Sequence, residues 1–273
     1  MKLGDVPNIV LVASGKGGVG KTTVASDIAR TATDYADGVG LIDADISTPN
    51  SPQVLGGEDV DISDQRLATG DALVPPEVEG IQLVSQGLVL PDDVPVLRGA
   101  EWRAEAVADY IQNVEWNDDT ELVVIDSPPG SGEELQVIAS AVPLTHAYVV
   151  STPHPSAVRD AKKTHEFFKQ AQVSHSLVTN MAYIPGQDLV NHVTQGVNFT
   201  NIDGIGEAKE GEIHSMLEDD PTDFPMFEWD PDTPLGIGAE HAVTLPYTPD
   251  FETRRETFEG EVEELLAGAE VEA

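Results

Sequence analysis

The chain of 273 residues contains no cysteine, which excludes disulfides, thiolate nucleophiles and thiolate-held metal clusters within this polypeptide. Basic residues are scarce: 14 Lys and Arg stand against 49 Asp and Glu, a formal net charge of −35. So strong a deficit argues against DNA, RNA or anionic lipid as a direct partner. Long apolar runs are lacking as well. No segment reaches the length of a transmembrane helix, and the first apolar run is too short for a signal peptide, so a cytoplasmic protein without stable membrane insertion is expected.

The acids are spread over the whole chain, which points to a halophilic protein from a salt-rich cytosol. At molar salt the Debye length is only about 3 Å, and self-repulsion is screened. An acidic surface built for a basic partner is the alternative, although it would be patchier. The small basic clusters Lys162-Lys163 and Arg254-Arg255 are flanked by acids and read as solvated helix faces.

What is present is concentrated in Gly15-Lys16-Gly17-Gly18-Val19-Gly20-Lys21-Thr22. This matches the P-loop pattern G-x-x-x-x-G-K-[ST], in which backbone N–H groups cradle phosphate, the lysine reaches the terminal phosphates and the hydroxyl meets Mg²⁺. The context fits: Asn8–Ala13 reads as a buried strand, and Thr22–Thr33 as a helix whose positive end faces the anion. Strands are expected at Gly38–Ala44, Ile81–Ser85, Glu121–Asp126, Thr145–Ser151 and Ser174–Asn180, with helices at Ala100–Val114, Pro155–Ala171 and Phe251–Ala267. This β-α rhythm predicts a three-layer α/β fold, a mostly parallel sheet with helices on both faces, as one P-loop ATPase domain over residues 1–273. Residues 185–243 break the rhythm as an irregular acidic insertion or arm.

Open α/β sheets bind ligands at the carboxyl ends of their strands, so the P-loop, Asp43, Asp45 and Asp126 are expected in one crevice. Carboxylates beside phosphates need a cation. Mg²⁺ suits Thr22, phosphate oxygens and waters, with Asp126 in the Walker B role. Asp45, out on the loop, is placed to orient water, whereas Asp43 could serve the metal or hold Lys21. Lys16 is either an exposed charge at a turn or a second cation reaching across a dimer interface.

Gly15–Thr23 resembles the deviant Walker A signature of the MinD/ParA/Mrp ATPases. Further segments are similar to the Mrp/ApbC branch, the iron-sulfur cluster carriers: Asp43–Pro52 (switch I), Gly87–Pro91, Arg98-Gly99, Glu115-Trp116, and Asp126–Gly132 (switch II). Thr152-Pro153 with Asp160, Asn180-Met181-Ala182-Tyr183, and Leu245-Pro246 with Pro249 continue the likeness. The resemblance implies slow ATP hydrolysis with ATP and Mg²⁺ bound along Gly15, Gly17, Gly18, Val19, Gly20, Lys21, Thr22 and Thr23. It further implies a homodimer in which Lys16 contacts the other subunit's phosphate, Asn180 reading adenine, the backbone around Pro246 beside the base, and a client or cluster-assembly partner. Thr48 stands where that family usually has glycine. Ile184–Asp188 stands where a Cys-x-x-Cys pair is expected, so no Fe-S cluster is expected here. A MinD/ParA-like positioning ATPase and a nucleotide-dependent adaptor are the alternative functions.

Overall fold

The computed structural model describes residues 1–57, 73–88, 107, 111–130, 132–184, 224–225, 237, 239, 241–248 and 250–271. In chain order the elements are β1 (Asn8–Ser14), α1 (Lys21–Ala32), β2 (Gly38–Asp43), α2 (Ser51–Val54), β3 (Glu77–Val78), β4 (Ile81–Val84) and β5 (Thr120–Asp126). They continue as α3 (Glu133–Ala141), β6 (His146–Ser151), α4 (Pro155–Ala171), β7 (His175–Thr179), β8 (Tyr183–Ile184), β9 (Phe224–Pro225), β10 (Ala242–Thr244) and α5 (Phe251–Val271).

Eight strands form one sheet in the order β10-β7-β6-β1-β5-β2-β4-β3, parallel except for the β3–β4 pair at the edge. Buried on both faces, the central strands are nearly continuous apolar runs, as the expectation of a mostly parallel sheet requires. Alternate residues serve opposite layers. Ile9, Leu11, Val123, Ile125 and Val149 pack with Leu135 and Ile138 of α3 and Phe168 of α4. Val10, Val12, Leu41, Val124 and Val150 pack with Val24 and Ile28 of α1 and Phe258 and Val262 of α5.

Strand β1 lies between β5 and β6; the connection out of β1 runs to β2 on one side, whereas that out of β5 runs to β6 on the other. Its carboxyl end is therefore the topological switch point, where an open sheet leaves a crevice. The P-loop follows β1 directly.

Two features differ from the sequence reading. Helix α3 is absent from that reading because Ser127-Pro128-Pro129-Gly130 looks like a plain stop, yet Leu135 and Ile138, three residues apart, bury one helical face. Strand β10, which the sequence reading does not assign, begins at Ala242 inside the segment read as irregular and pairs with β7, so it completes the sheet edge. Of the expected helix Ala100–Val114, Val107 and Ile111–Gln112 are helical and the others before Ile111 lie outside the described residues. Most of 185–243 also lies outside them, although Phe224–Pro225 pairs antiparallel with Tyr183–Ile184.

Candidate nucleotide-binding site

The P-loop can follow its path only because two positions lack side chains. A Cβ on Gly15 would lie 2.4 Å from the backbone carbon and oxygen of Asp160, so the loop passes directly against the α4 main chain. Gly20, at φ +82°, turns the chain into α1, and a Cβ there would lie 2.2 Å from Asn180 Nδ2. Two loop carbonyls are engaged: Ser14 Oγ donates to Lys16 O at 3.0 Å, and Asn180 Nδ2 to Val19 O at 2.9 Å. The first N–H groups of α1 have no intrahelical acceptor and carry the positive end of the helix dipole, a ready anion site.

Asp43 and Asp126 end adjacent parallel strands and are direct register partners. Lys21 reaches from the start of α1 and donates to Asp126 Oδ1. The sequence reading offers Asp43 as the residue that could hold Lys21, but Asp126 holds it. Asp126 Oδ2 is buried without a hydrogen-bond partner, an oxygen that a cation would satisfy. Burial pushes the Asp126 carboxyl above the ordinary carboxylate range, against the pull of Lys21 and Thr22.

Asp43 accepts from Ser51 N at 3.0 Å, Ser85 Oγ at 3.3 Å and Asp45 N at 3.2 Å. Its carboxyl is pushed up to about 7, first by burial and then by the neighbouring Asp126 charge; the Ser51 N–H and Lys21 oppose the rise. Ser51 and Ser85 are site residues that the sequence reading missed. Only the pairing of β2 with β4 brings Ser85 beside Asp43.

Asp45 lies farther out and caps its own turn, accepting from Ser47 N and Thr48 N at 3.2 Å and from Thr48 Oγ1 at 2.9 Å. Beside it a cavity of about 190 Å³ opens between the switch loops, walled by Asp45, Thr48, Pro128, Pro129 and Glu134, which is room for several waters. Lys16 is exposed and points at α4, donating to Ser156 Oγ at 3.0 Å. Ser156 Oγ also lies 2.9 Å from Nδ1 of His154, the residue that caps α4. Lys16 is thus apart from the Lys21–Asp126–Asp43 group.

The opposite flank of the P-loop is a wall made by two segments. Leu245 N bonds Thr179 O, Ala182 N bonds Leu245 O, and Tyr247 N bonds Tyr183 O. Asn180 and Pro246 are both buried in it. Behind the wall, Arg254 is 7% exposed and grips Asp27 of α1, which corrects its reading as a solvated residue. The carboxylate 227 residues away in the chain gave no local signal. Lys162 and Lys163 are exposed as expected. Arg98, Gly99, Ser131 and Pro249 lie outside the described residues.

A second cavity, of about 790 Å³, lies at the amino ends of the strands beside His146, Tyr148, His241, Glu261 and Glu264. Two glutamates in its lining and the lack of a glycine-rich turn make it unfit for phosphate, whereas the P-loop crevice has the backbone cradle that an anion needs. His165 and His175 touch at 2.9 Å, but among the described residues no three His, Asp or Glu are arranged to hold a metal by themselves. Mg²⁺ does not need such a cage, because it takes one or two carboxylates together with phosphate and water.

The chain is similar to several known proteins. A family model described as NUBPL iron-transfer P-loop NTPase, of the ParA group, matches residues 5–210. An iron-sulfur cluster carrier protein of Synechocystis is 34% identical over 68% of this chain and 53% of its own length. One from Aquifex aeolicus is 35% identical over 67% of this chain and 50% of its own length. The match thus spans about half the length of these relatives. Among solved structures, a nucleotide-binding protein from Archaeoglobus fulgidus in complex with ADP aligns with TM-score 0.57 and 22% identity, over 94% of this chain and 88% of that one. MinD of Aquifex aeolicus aligns with TM-score 0.50 and 21% identity, over 97% and 98%. The strand order, the P-loop at the switch point and the family match lead to one conclusion: the chain belongs to the ParA/NUBPL family of iron-transfer P-loop NTPases, the group of the Mrp/ApbC iron-sulfur cluster carriers.

Proposed function

We propose that this protein is a slow, cytoplasmic Mg-dependent ATPase whose nucleotide cycle closes and opens a homodimer, with residues 1–273 as one ATPase domain and 185–243 as its arm. The observation that carries the reading is the convergence of Lys21, Asp126 and Asp43 behind a P-loop, with Asp126 Oδ2 buried and unsatisfied. Thr22, Asp126 and Asp43 would hold Mg²⁺, which when bound neutralises charge on the phosphate oxygens.

The main chain from Gly15 to Thr23 binds the phosphates, and Lys21 exchanges Asp126 for the terminal phosphate oxygens. Asp45, beside its cavity, orients the attacking water. Asn180 and Pro246 face the nucleoside. Lys16 supplies a cation to the partner subunit's phosphate. Its orientation away from its own Asp126 supports that role, and a cation added in trans can be worth roughly 10³-fold in rate.

With no thiolate in these residues, cluster carriage by this chain itself has no ligand set, because Fe-S clusters are held by cysteine with histidine replacing some ligands at most. The ATPase therefore acts on a client or cluster-assembly protein. The test is ATP turnover in high salt. Wild type hydrolyses ATP slowly, Lys21→Ala is inactive, and Lys16→Ala regains turnover when mixed with Lys21→Ala subunits. Full activity in Lys21→Ala sinks the assignment. Anaerobic reconstitution with iron and sulfide, read by absorbance, should give no cluster chromophore.

A further inference from the structure

Arg254 is the one guanidinium of the C-terminal helix that leaves the surface. Its Nε and Nη2 fork onto Asp27 Oδ2 and Oδ1 at 2.6 and 3.1 Å, and its Nη1 donates to the Thr248 carbonyl at 2.5 Å. Asp27 is fully buried and Arg254 nearly so. A bidentate pair of this kind fixes both partners in orientation as well as distance.

Its two targets lie on either side of the crevice flank. Asp27 is one helical turn beyond Thr23 on α1, on the same face of the helix that opens at the P-loop. Thr248 ends the segment Leu245–Thr248, which hydrogen-bonds to Thr179–Tyr183 and forms the wall beside Asn180. Asn180 in turn holds Val19 of the P-loop. The other flank carries Asp43, Asp45 and Asp126, where the terminal phosphates and their cation belong. The nucleoside end of a bound nucleotide is therefore left with the Asn180–Pro246 wall.

We infer that Arg254 is a positioning residue for the nucleoside: by tying the Thr248 carbonyl to Asp27 it sets the distance between the P-loop helix and the base-side wall. This rests on the ATPase reading above. The Arg254 donors are committed to Asp27 and the Thr248 carbonyl rather than to the P-loop, so its effect should be confined to ligands that carry a base.

The probes are Mg-ATP, Mg-GTP and Mg-tripolyphosphate, which has the phosphates without the nucleoside, measured by calorimetric titration in high salt with folding checked by circular dichroism. Arg254→Met should weaken Mg-ATP about tenfold or more, narrow the ATP:GTP preference, and leave tripolyphosphate within about twofold. Arg254→Lys should fall between, since one ammonium cannot reproduce the fork together with the carbonyl contact. Should Arg254→Met not fold because Asp27 is left buried and unpaired, Asp27→Asn/Arg254→Met removes both charges and carries the same expectation. Equal loss for ATP and tripolyphosphate, or unchanged ATP affinity in a folded variant, overturns the inference. Wild type that binds none of the three probes overturns the ATPase reading instead.

Discussion

Lys21 and Asp126 form a buried ion pair across the mouth of the crevice, one at the first residue of α1 and the other at the last of β5. Both are nearly inaccessible, at 7% and 0% exposure. The lysine thus compensates a buried carboxylate, which sets apart two consequences of removing it. Lys21→Ala should lose ATP binding and also leave Asp126 as an uncompensated buried charge, at a cost of about 3–5 kcal/mol. Lys21→Ala/Asp126→Asn should recover most of that stability in denaturant titration while remaining inactive. If the single variant is as stable as wild type, the pair does not hold the resting site together.

The raised Asp43 carboxyl gives a pH signature. Its value of about 7 in the folded chain lies above the 3.8 of a free side chain, so between those values the folded state binds the proton more than the unfolded state does. Stability from this group is present at low pH, falls as pH rises from about 4 to 7, and is flat above that. Asp43→Asn should therefore gain relative to wild type over this window by at most about 4 kcal/mol, with a constant difference above pH 7. Thermal melts of the nucleotide-free proteins across the window test this, and parallel curves would contradict it.

Most of this crevice can be read in the sequence because its parts are local. A strand, a glycine turn and a helix are contiguous, and Asp43 and Asp126 each follow an apolar run that ends where the sheet ends. What stays hidden depends on register and distance. Which aspartate holds Lys21 is decided by the pairing of β1 with β5, which puts Asp126 nearer than Asp43 on β2. Ser85 meets Asp43 through a strand 42 residues away. Arg254 looks like any charged residue in an acidic helix until α5 packs on α1, and there Asp27 is the internal partner that makes its burial possible.

Gly15 separates sterics from conformation. The missing Cβ would collide with backbone atoms of Asp160, which cannot rotate away, whereas a Cβ on Gly17 would meet only Pro129 Cβ at 3.9 Å. Gly15→Ala should push the P-loop from α4 and cost about 1–3 kcal/mol, together with nucleotide affinity. Gly17→Ala should stay within about 0.5 kcal/mol of wild type in stability. Paired melting curves decide the matter, and equal stability of the two variants would mean that the loop is not confined by α4.

The net charge of −35 should make stability depend on salt in a graded and localised way. The two buried pairs, Lys21–Asp126 and Arg254–Asp27, are shielded from solvent ions and will barely respond. The exposed surface is different. Along α5, Glu252, Glu256, Glu259 and Glu263 recur at helical spacing, so neighbours three or four apart repel by about 0.2–0.5 kcal/mol each at low salt. Arg255 answers part of this, reaching Asp34, Glu252 and Glu259 together. At about 0.1 M salt the Debye length is about 10 Å, and repulsion extends from one turn of α5 to the next; at about 1 M it shrinks to about 3 Å and acts only at contact. Circular dichroism should therefore show a melting temperature that rises with salt, and hydrogen exchange at low salt should show α5 opening before β1 and β5. Cooperative folding with an unchanged melting temperature at low salt would remove the halophilic reading. The acids would then be better explained as a surface for a basic partner.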